Sequence, residues 1–161
     1  MKNRFRIATS GASLLFIGAA FVHPFGTAKN QSPAKPSLTD SIVDAEAARI
    51  IQRSCQNCHS ERTEWPWYSY VPPMSWLVEQ DVHDARSHMN FSRWNEYSAD
   101  DKQQFLSKMS ILVKCRAMPL PRYLKLHPEA RLTDEQVTYL SQWARREARR
   151  VGDAAPEAGG K

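Results

Sequence analysis

Cys55-Gln56-Asn57-Cys58-His59 is the stretch of this chain that is most informative about its fold. Two cysteines separated by two residues and followed directly by a histidine are typical of covalent attachment of a c-type haem. In this pattern the thiols add to the haem vinyl groups as thioethers, and the imidazole binds the iron from one side. The stretch therefore predicts that Cys55 and Cys58 attach one haem c and that His59 is an iron ligand.

The first 28 residues are typical of a targeting segment, with Lys2, Arg4 and Arg6 ahead of an apolar run over residues 7–22. The run has 16 residues, fewer than the roughly 18–20 that a spanning helix prefers. A cleaved signal peptide with its site at Gly26-Thr27-Ala28 is favoured, and an uncleaved anchor that tethers the chain to a membrane remains open. Both predict a periplasmic location, either soluble or held at the inner membrane by the N-terminus.

The charge of the chain argues against a nucleic-acid partner. The 161 residues carry a formal net charge of +5. The three basic residues of the targeting segment account for three of these charges, so residues 29–161 carry only +2. A basic balance of this size is too small to predict binding to a polyanion.

The length predicts a single folded domain over residues 40–151, after a linker over 29–39 and before a flexible tail over 152–161. Apolar residues at helical spacing predict four helices in this domain. The predicted capping residues at their starts are, in chain order, Thr39 or Asp40, Ser75, Ser98 and Thr133. The four helices are predicted to end near Ser54, Met89, Lys114 and Arg150, respectively. In the first of these helices the residues at helical spacing, which form its predicted inward face, are Val43, Ala47, Ile50, Ile51 and Ser54. The first helix would lead directly into Cys55.

An aromatic segment lies between the first two predicted helices, and its prolines exclude a regular helix. Its five large rings are those of Trp65, Trp67, Tyr68, Tyr70 and Trp76. All five are expected to be buried, either against the edge of a haem or in an ordinary aromatic core beneath a loop.

The Met118-Pro119-Leu120-Pro121 loop follows the third predicted helix. Its prolines stiffen the chain, and a thioether sulfur is a suitable haem ligand. Met118 is therefore predicted as the second axial ligand, with a gap-filling methionine as the alternative. Met109 lies on the apolar face of a helix and is predicted to be core. A His/Met pair of ligands suits electron transfer.

The third cysteine, Cys115, has no partner in this scheme and is interpreted as a small buried hydrophobe, with a reactive thiol or a disulfide between two chains as the alternatives. His83 and His88 are interpreted as surface or structural groups.

The order of elements resembles that of class I cytochromes c, and more closely that of the bacterial family of haem-binding domain proteins. The matching motifs are Cys55–Ser60, Thr63 with Trp65–Ser69, Pro73 with Ser75-Trp76, Asp81-Val82, Ala85-Arg86, Asn90–Ser92 with Trp94, Met118-Pro119 with Tyr123, and His127-Pro128 with Leu132-Thr133. The resemblance spans about residues 40–150. It implies one covalent haem c held by Cys55, Cys58 and His59, and suggests Met118 as the distal ligand. Leu120 departs from the Met-Pro-Pro loops that are common in the family.

The sequence therefore predicts an all-α, cytochrome c-like helical domain that encloses one haem and transfers single electrons to or from a redox partner protein. No acid–base or nucleophile constellation predicts an enzyme. The main alternative is a haem sensor or peroxidase-like enzyme with an open sixth position near His83, His88, Arg86 or Arg116. Two haem-free alternatives are a thiol–disulfide protein using Cys55 and Cys58, and a zinc site that adds His59 and Cys115.

Overall fold

The computed structural model describes Gly18 and residues 22–26, 28–30, 37–42 and 44–154. Within these ranges the chain forms α-helices and short 3-10 helices and no strand, which confirms the all-α prediction. The α-helices are α1 (Leu38–Ser41), α2 (Ala45–Ser54), α3 (Gln56–His59), α4 (Met74–His88), α5 (Ala99–Lys114) and α6 (Asp134–Asp153). The 3-10 helices cover Trp67–Tyr70, Phe91–Glu96, Tyr123–Lys125 and Pro128–Ala130.

The two longest helices, α5 and α6, begin where the sequence predicts. Ser98 and Thr133 each form a capping box, with Asp101 and Gln136 respectively, which satisfies the free N–H groups at the start of the helix. α6 continues to Asp153, three residues beyond the predicted end at Arg150. The two helices pack against each other, and their buried side chains, together with those of α2, form most of the core.

The predicted start of the first helix, with Thr39 or Asp40 as its cap, is wrong. Ser37 caps the short helix α1, Ile42 is extended, and Asp44 caps α2 by accepting a hydrogen bond from the Ala47 N–H at 3.0 Å. The chain therefore forms two helices, because a second capping residue restarts the helix after the extended residue. The predicted inward face of α2 is confirmed for Ala47, Ile50, Ile51 and Ser54, and Val43 lies outside the described residues.

The predicted burial of the aromatic segment is also wrong. Trp67 and Tyr70 are exposed. The predicted start of the second helix also differs, because α4 begins at Met74, directly after Pro73, and Ser75 does not cap it. A 3-10 helix has three residues per turn, so Trp67 and Tyr70 share one face. That face points to solvent, whereas Ser69 on another face is buried.

No helix among the described residues is long and apolar enough to cross a lipid bilayer. Most of the apolar run over residues 7–22, the central residue of the predicted cleavage site and the tail from residue 155 onward lie outside the described ranges. The signal peptide, the linker and the domain boundaries remain predictions.

Candidate haem-binding site

The cysteines and the histidine of the sequence motif lie on a single helical turn. Cys55 ends α2, with its N–H bonded to the Ile51 carbonyl at 2.9 Å. The Cys55 carbonyl then accepts hydrogen bonds from the Cys58 and His59 N–H groups at 3.2 and 3.0 Å. α2 thereby delivers a compact turn, named here the attachment turn (residues 55–59), that presents two thiols and one imidazole.

The attachment turn opens on a cavity of about 410 Å³. Cys55, Cys58, His59 and Met118 all line this cavity. Most of its other walls are apolar side chains, namely Ala85, Met89, Phe91, Phe105, Met109, Leu112, Val113, Pro119 and Leu120. The structure thus brings the four predicted haem residues to one mainly apolar cavity, and their roles toward a haem remain a prediction.

His59 is held in one orientation by two neighbours. Its Nδ1 lies 3.0 Å from the Met89 carbonyl, and its ring stacks on that of Phe91 with the centroids 5.4 Å apart and the planes at 24°. Because a carbonyl oxygen only accepts, Nδ1 carries the proton, and the neutral ring keeps its lone pair on Nε2. Burial lowers the pKa of His59, against the opposing effect of the Met89 and Ala85 carbonyls. The neutral imidazole is the form that binds a metal.

The two thiols of the attachment turn are free and half-buried. Burial is the main cause that raises the pKa of Cys55 to about 12 and that of Cys58 to about 11. Both groups are therefore thiols at neutral pH rather than thiolates. Thiol–disulfide proteins depend on a lowered cysteine pKa, so this environment does not favour that alternative.

A buried polar network fixes the chain directly after the attachment turn. Arg86 of α4 forms an ion pair with Glu61 at 2.8 Å and donates a hydrogen bond to the Ser60 carbonyl at 3.0 Å. Glu61 also accepts from the Asn90 side-chain amide at 2.9 Å, and its N–H donates to Ser92 Oγ at 2.9 Å. These bonds join the end of the turn to α4 and to the segment that carries Phe91.

Asn57 joins the attachment turn to the segment that follows Met118. The Asn57 side-chain amide donates to the Tyr123 hydroxyl at 3.3 Å, and the Asn57 backbone carbonyl accepts from Thr63 Oγ1 at 2.6 Å. Tyr123 also lines the cavity and stacks on His127 with the ring centroids 4.3 Å apart. Arg86, Phe91 and Tyr123 belong to the motifs of the family resemblance, but no local pattern in the sequence indicated these contacts.

The loop that carries Met118 is turned back onto the end of α5. Arg116 has a positive φ of 57°, and the N–H groups of Ala117 and Met118 both bond to the Leu112 carbonyl, at 3.0 and 3.2 Å. Cys115 ends the helix just before this reversal and is exposed, so its predicted burial is wrong. Cys115 is not among the residues that line the cavity, whereas Met118 is.

Only some of the other side chains that could act near an iron line the same cavity. Met89, Met109 and His88 line it, and His83, Arg86 and Arg116 do not. Met109 is buried, as predicted, and His83 and His88 are exposed. Within the described part of the chain, no three His, Cys, Asp or Glu side chains gather into a metal-binding group, and the four residues of the zinc hypothesis are not brought together.

A helical domain whose CxxCH turn opens on an apolar cavity belongs to the class of small haem-binding, cytochrome-like proteins. Residues 14–146 match the family described as Haem-binding domain, and the chain is a member of that family. It is also 28% identical over 114 residues to the cytochrome c peroxidase Ccp of Escherichia coli (strain K12). That match covers 67% of this chain and 24% of the peroxidase. No solved structure gives a significant match.

Proposed function

We propose that this protein is an exported mono-haem c-type cytochrome that carries single electrons. Its haem is attached through Cys55 and Cys58, and its iron is ligated by His59 and Met118. The observation that carries the proposal is that these four residues, from two distant parts of the chain, line one apolar cavity. A redox partner protein in the periplasm would supply or accept the electron.

The cavity fits the proposed cofactor in size and in chemistry. Its volume of about 410 Å³ lies within the roughly 300–1,000 Å³ of typical cofactor sites. Its walls are mainly apolar, and the two thiols project from the same turn as the imidazole. A haem bound there supplies an iron that alternates between its ferric and ferrous states.

The residues of the chain would set the properties of that iron. The Met89 carbonyl accepts the His59 Nδ1 proton, which orients the imidazole and increases its basicity as a ligand. The thioether of Met118 and the mainly apolar walls of the cavity would both favour the reduced state and so raise the reduction potential. The described groups perform no proton transfer on a substrate in this scheme.

The similarity to a peroxidase is compatible with an electron carrier. The chain spans about a quarter of that enzyme's length, 24%, so the resemblance concerns a part of the enzyme. An electron-carrying role for the present chain is compatible with a resemblance to only a part of that enzyme.

The test is an absorption spectrum of the protein matured with the c-haem machinery, recorded oxidised, reduced, and reduced with carbon monoxide. We expect a low-spin haem with the long-wavelength thioether–iron band and no response to carbon monoxide. Met118→Ala should abolish the band and admit carbon monoxide. Met109→Leu, a volume-conserving change at another methionine of the cavity, should leave both properties unchanged. A spectrum that is unaffected by Met118→Ala contradicts the proposal.

A haem sensor or peroxidase-like enzyme is the second candidate, and one observation favours it. His88 is exposed at the cavity, and its Nδ1 lies 2.7 Å from the Asp84 carbonyl, which leaves Nε2 as the nitrogen with a lone pair. An open sixth position beside this imidazole would bind carbon monoxide in the unmodified protein. The carbon monoxide arm of the same experiment separates the two candidates.

A further inference from the structure

The segment of residues 22–30, described at 22–26 and 28–30, lies on the folded domain and is named here the strap. Trp76 Nε1 of α4 donates to the Val22 carbonyl at 2.7 Å. Arg86 donates to the Lys29 carbonyl at 3.2 Å and to the Asn30 side chain at 2.8 Å. The strap therefore contacts the beginning and the later turns of α4, including the arginine of the network behind the attachment turn.

One strap contact involves a buried carboxylate. His23 Nδ1 lies 2.6 Å from Glu79 Oε1, and Glu79 is only 3% exposed. The second carboxylate oxygen, Oε2, is buried and has no hydrogen-bond partner among the described residues. Cleavage after Ala28 would remove His23 and with it the hydrogen bond that it forms with Glu79 Oε1. The strap thus completes the packing around α4.

The family match points in the same direction independently. It begins at residue 14, inside the apolar run, and continues to residue 146. The strap and part of the run therefore lie within the stretch that matches the family.

The exposed apolar side chains of the domain are concentrated beside the strap. Nine large hydrophobic residues are exposed among the described residues, and six of them lie in the strap, the 3-10 helix before α4 and the adjoining part of the chain. The six are Val22, Phe25, Trp67, Tyr70, Val71 and Leu77, and they are named here the apolar face. These segments meet at the beginning of α4 through the Val22–Trp76 contact and the packing of the 3-10 helix on α4.

We propose that the strap is retained in the mature protein and that the apolar face rests on the lipid bilayer into which the run over residues 7–22 inserts. The run ends at Val22, which is the first residue of the strap. A run inserted in the membrane therefore brings the apolar face to the lipid surface. Tryptophan and tyrosine side chains are enriched at membrane–water interfaces, because their rings are apolar at one end and polar at the other. Trp67, at 78% exposure, and Tyr70 are the two such side chains on the apolar face.

The first part of the test determines the N-terminus. The full chain is matured with haem in a bacterial host, extracted from the cell envelope, and its intact mass is measured. We expect a mass that includes the strap and the apolar run. A mature protein that begins at residue 29 overturns the proposal.

The second part determines which face meets the lipid. The exposed Cys115 is replaced by serine, and a cysteine is then introduced by Trp67→Cys or, as a matched control, by Ile111→Cys on α5. Ile111 is 64% exposed and does not line the cavity. Each protein is labelled with an environment-sensitive fluorophore and reconstituted into vesicles of phosphatidylethanolamine and phosphatidylglycerol. The Cys115→Ser protein without an introduced cysteine serves as the background control, because it measures any labelling of Cys55 and Cys58.

We expect the label at position 67 to be blue-shifted and severalfold less accessible to a water-soluble quencher than the label at position 111. Equal accessibility at the two positions overturns the proposal, even if the N-terminus is intact. Neither measurement depends on the iron ligands, so a failure here leaves the proposed electron transfer to be judged by its own spectra.

Discussion

At the scale of the residue, the site depends on how each side chain of the attachment turn is constrained. The Met89 carbonyl and the Phe91 ring fix His59 from behind, so that its Nε2 is the nitrogen left for a ligand. The two thiols are kept protonated by burial, which raises the pKa of both. The third thiol, Cys115, is exposed and lies away from the cavity.

This difference between the cysteines gives a prediction about haem attachment. Replacing both Cys55 and Cys58 by serine removes both thiols that would form thioether bonds, so no haem should remain on the chain in a denaturing gel stained for haem. Each single replacement should leave one bond and reduce the signal. Cys115→Ser is the matched control and should retain the full signal. Haem that stays bound in the double variant would refute covalent attachment through this turn.

At the scale of the element, the attachment turn is positioned by α2 in front and by α4 behind. α4 contributes Arg86, whose side chain is 16% exposed and is paired with Glu61, 4% exposed. A buried ion pair is costly to break by removing one member, because the remaining charge loses its compensation.

Arg86→Met is therefore expected to destabilise the domain by about 3 kcal/mol, since the buried Glu61 would lose its ion pair with Arg86. Chemical denaturation of the haem-loaded protein provides the measurement. The double change Arg86→Met with Glu61→Gln should recover part of the loss, because it also removes the buried negative charge. A single variant as stable as the unmodified protein would show that the ion pair does not hold the turn.

The capping residue of α2 makes a pH-dependent contribution. Hydrogen bonds from the Ala47 N–H and from the Tyr139 hydroxyl, the latter at 2.7 Å, lower the pKa of Asp44 below its usual value of 3.8. A carboxyl with a lowered folded-state pKa stabilises the fold above its unfolded-state pKa, and that contribution is lost as the pH falls through the folded-state value.

Asp44→Ala should reduce the free energy of unfolding at neutral pH by about 1 kcal/mol, the usual effect of losing an N-cap. Asp44→Asn keeps a capping oxygen and should cost less. As the pH falls below 3.8 and through the lowered folded-state pKa of Asp44, the unmodified protein and Asp44→Asn should approach the same stability, because the carboxyl becomes protonated. Denaturation curves at neutral and acidic pH test this prediction. It would be contradicted if the difference in free energy of unfolding between the unmodified protein and Asp44→Asn were the same at both pH values.

At the scale of the whole molecule, the cavity interrupts the packing between α3, α4 and α5. Its walls include side chains of the core, among them Met109 and Val113. Native interiors are otherwise close-packed, and an unfilled apolar space lowers stability because its walls lose contacts.

We therefore expect the protein produced without haem maturation to unfold at a clearly lower urea concentration than the haem-loaded protein, since a group that binds only the folded state stabilises it. Far-ultraviolet circular dichroism in a urea titration measures both forms. Leu140→Ala, at a fully buried core position that does not line the cavity, serves as the control and should destabilise both forms by a similar ~2–5 kcal/mol. Equal stability of the two forms would argue against haem filling this cavity.

The sequence by itself determined the helical class, the starts of α5 and α6, the inward face of α2 and the candidate haem residues. These features depend on local chemistry: a capping box or a 3.6-residue apolar period acts within one helix, and the CxxCH pattern acts within one turn. They can be inferred without knowing what lies opposite.

Only the tertiary structure decided which surfaces face solvent and which side chains meet across the fold. It turned Trp67 and Tyr70 outward, exposed Cys115, and placed the strap on α4. It also brought Met118 to the cavity of the attachment turn and set Arg86 against Glu61. These contacts join residues far apart in the chain, and their energies depend on burial and on partners that no local pattern specifies.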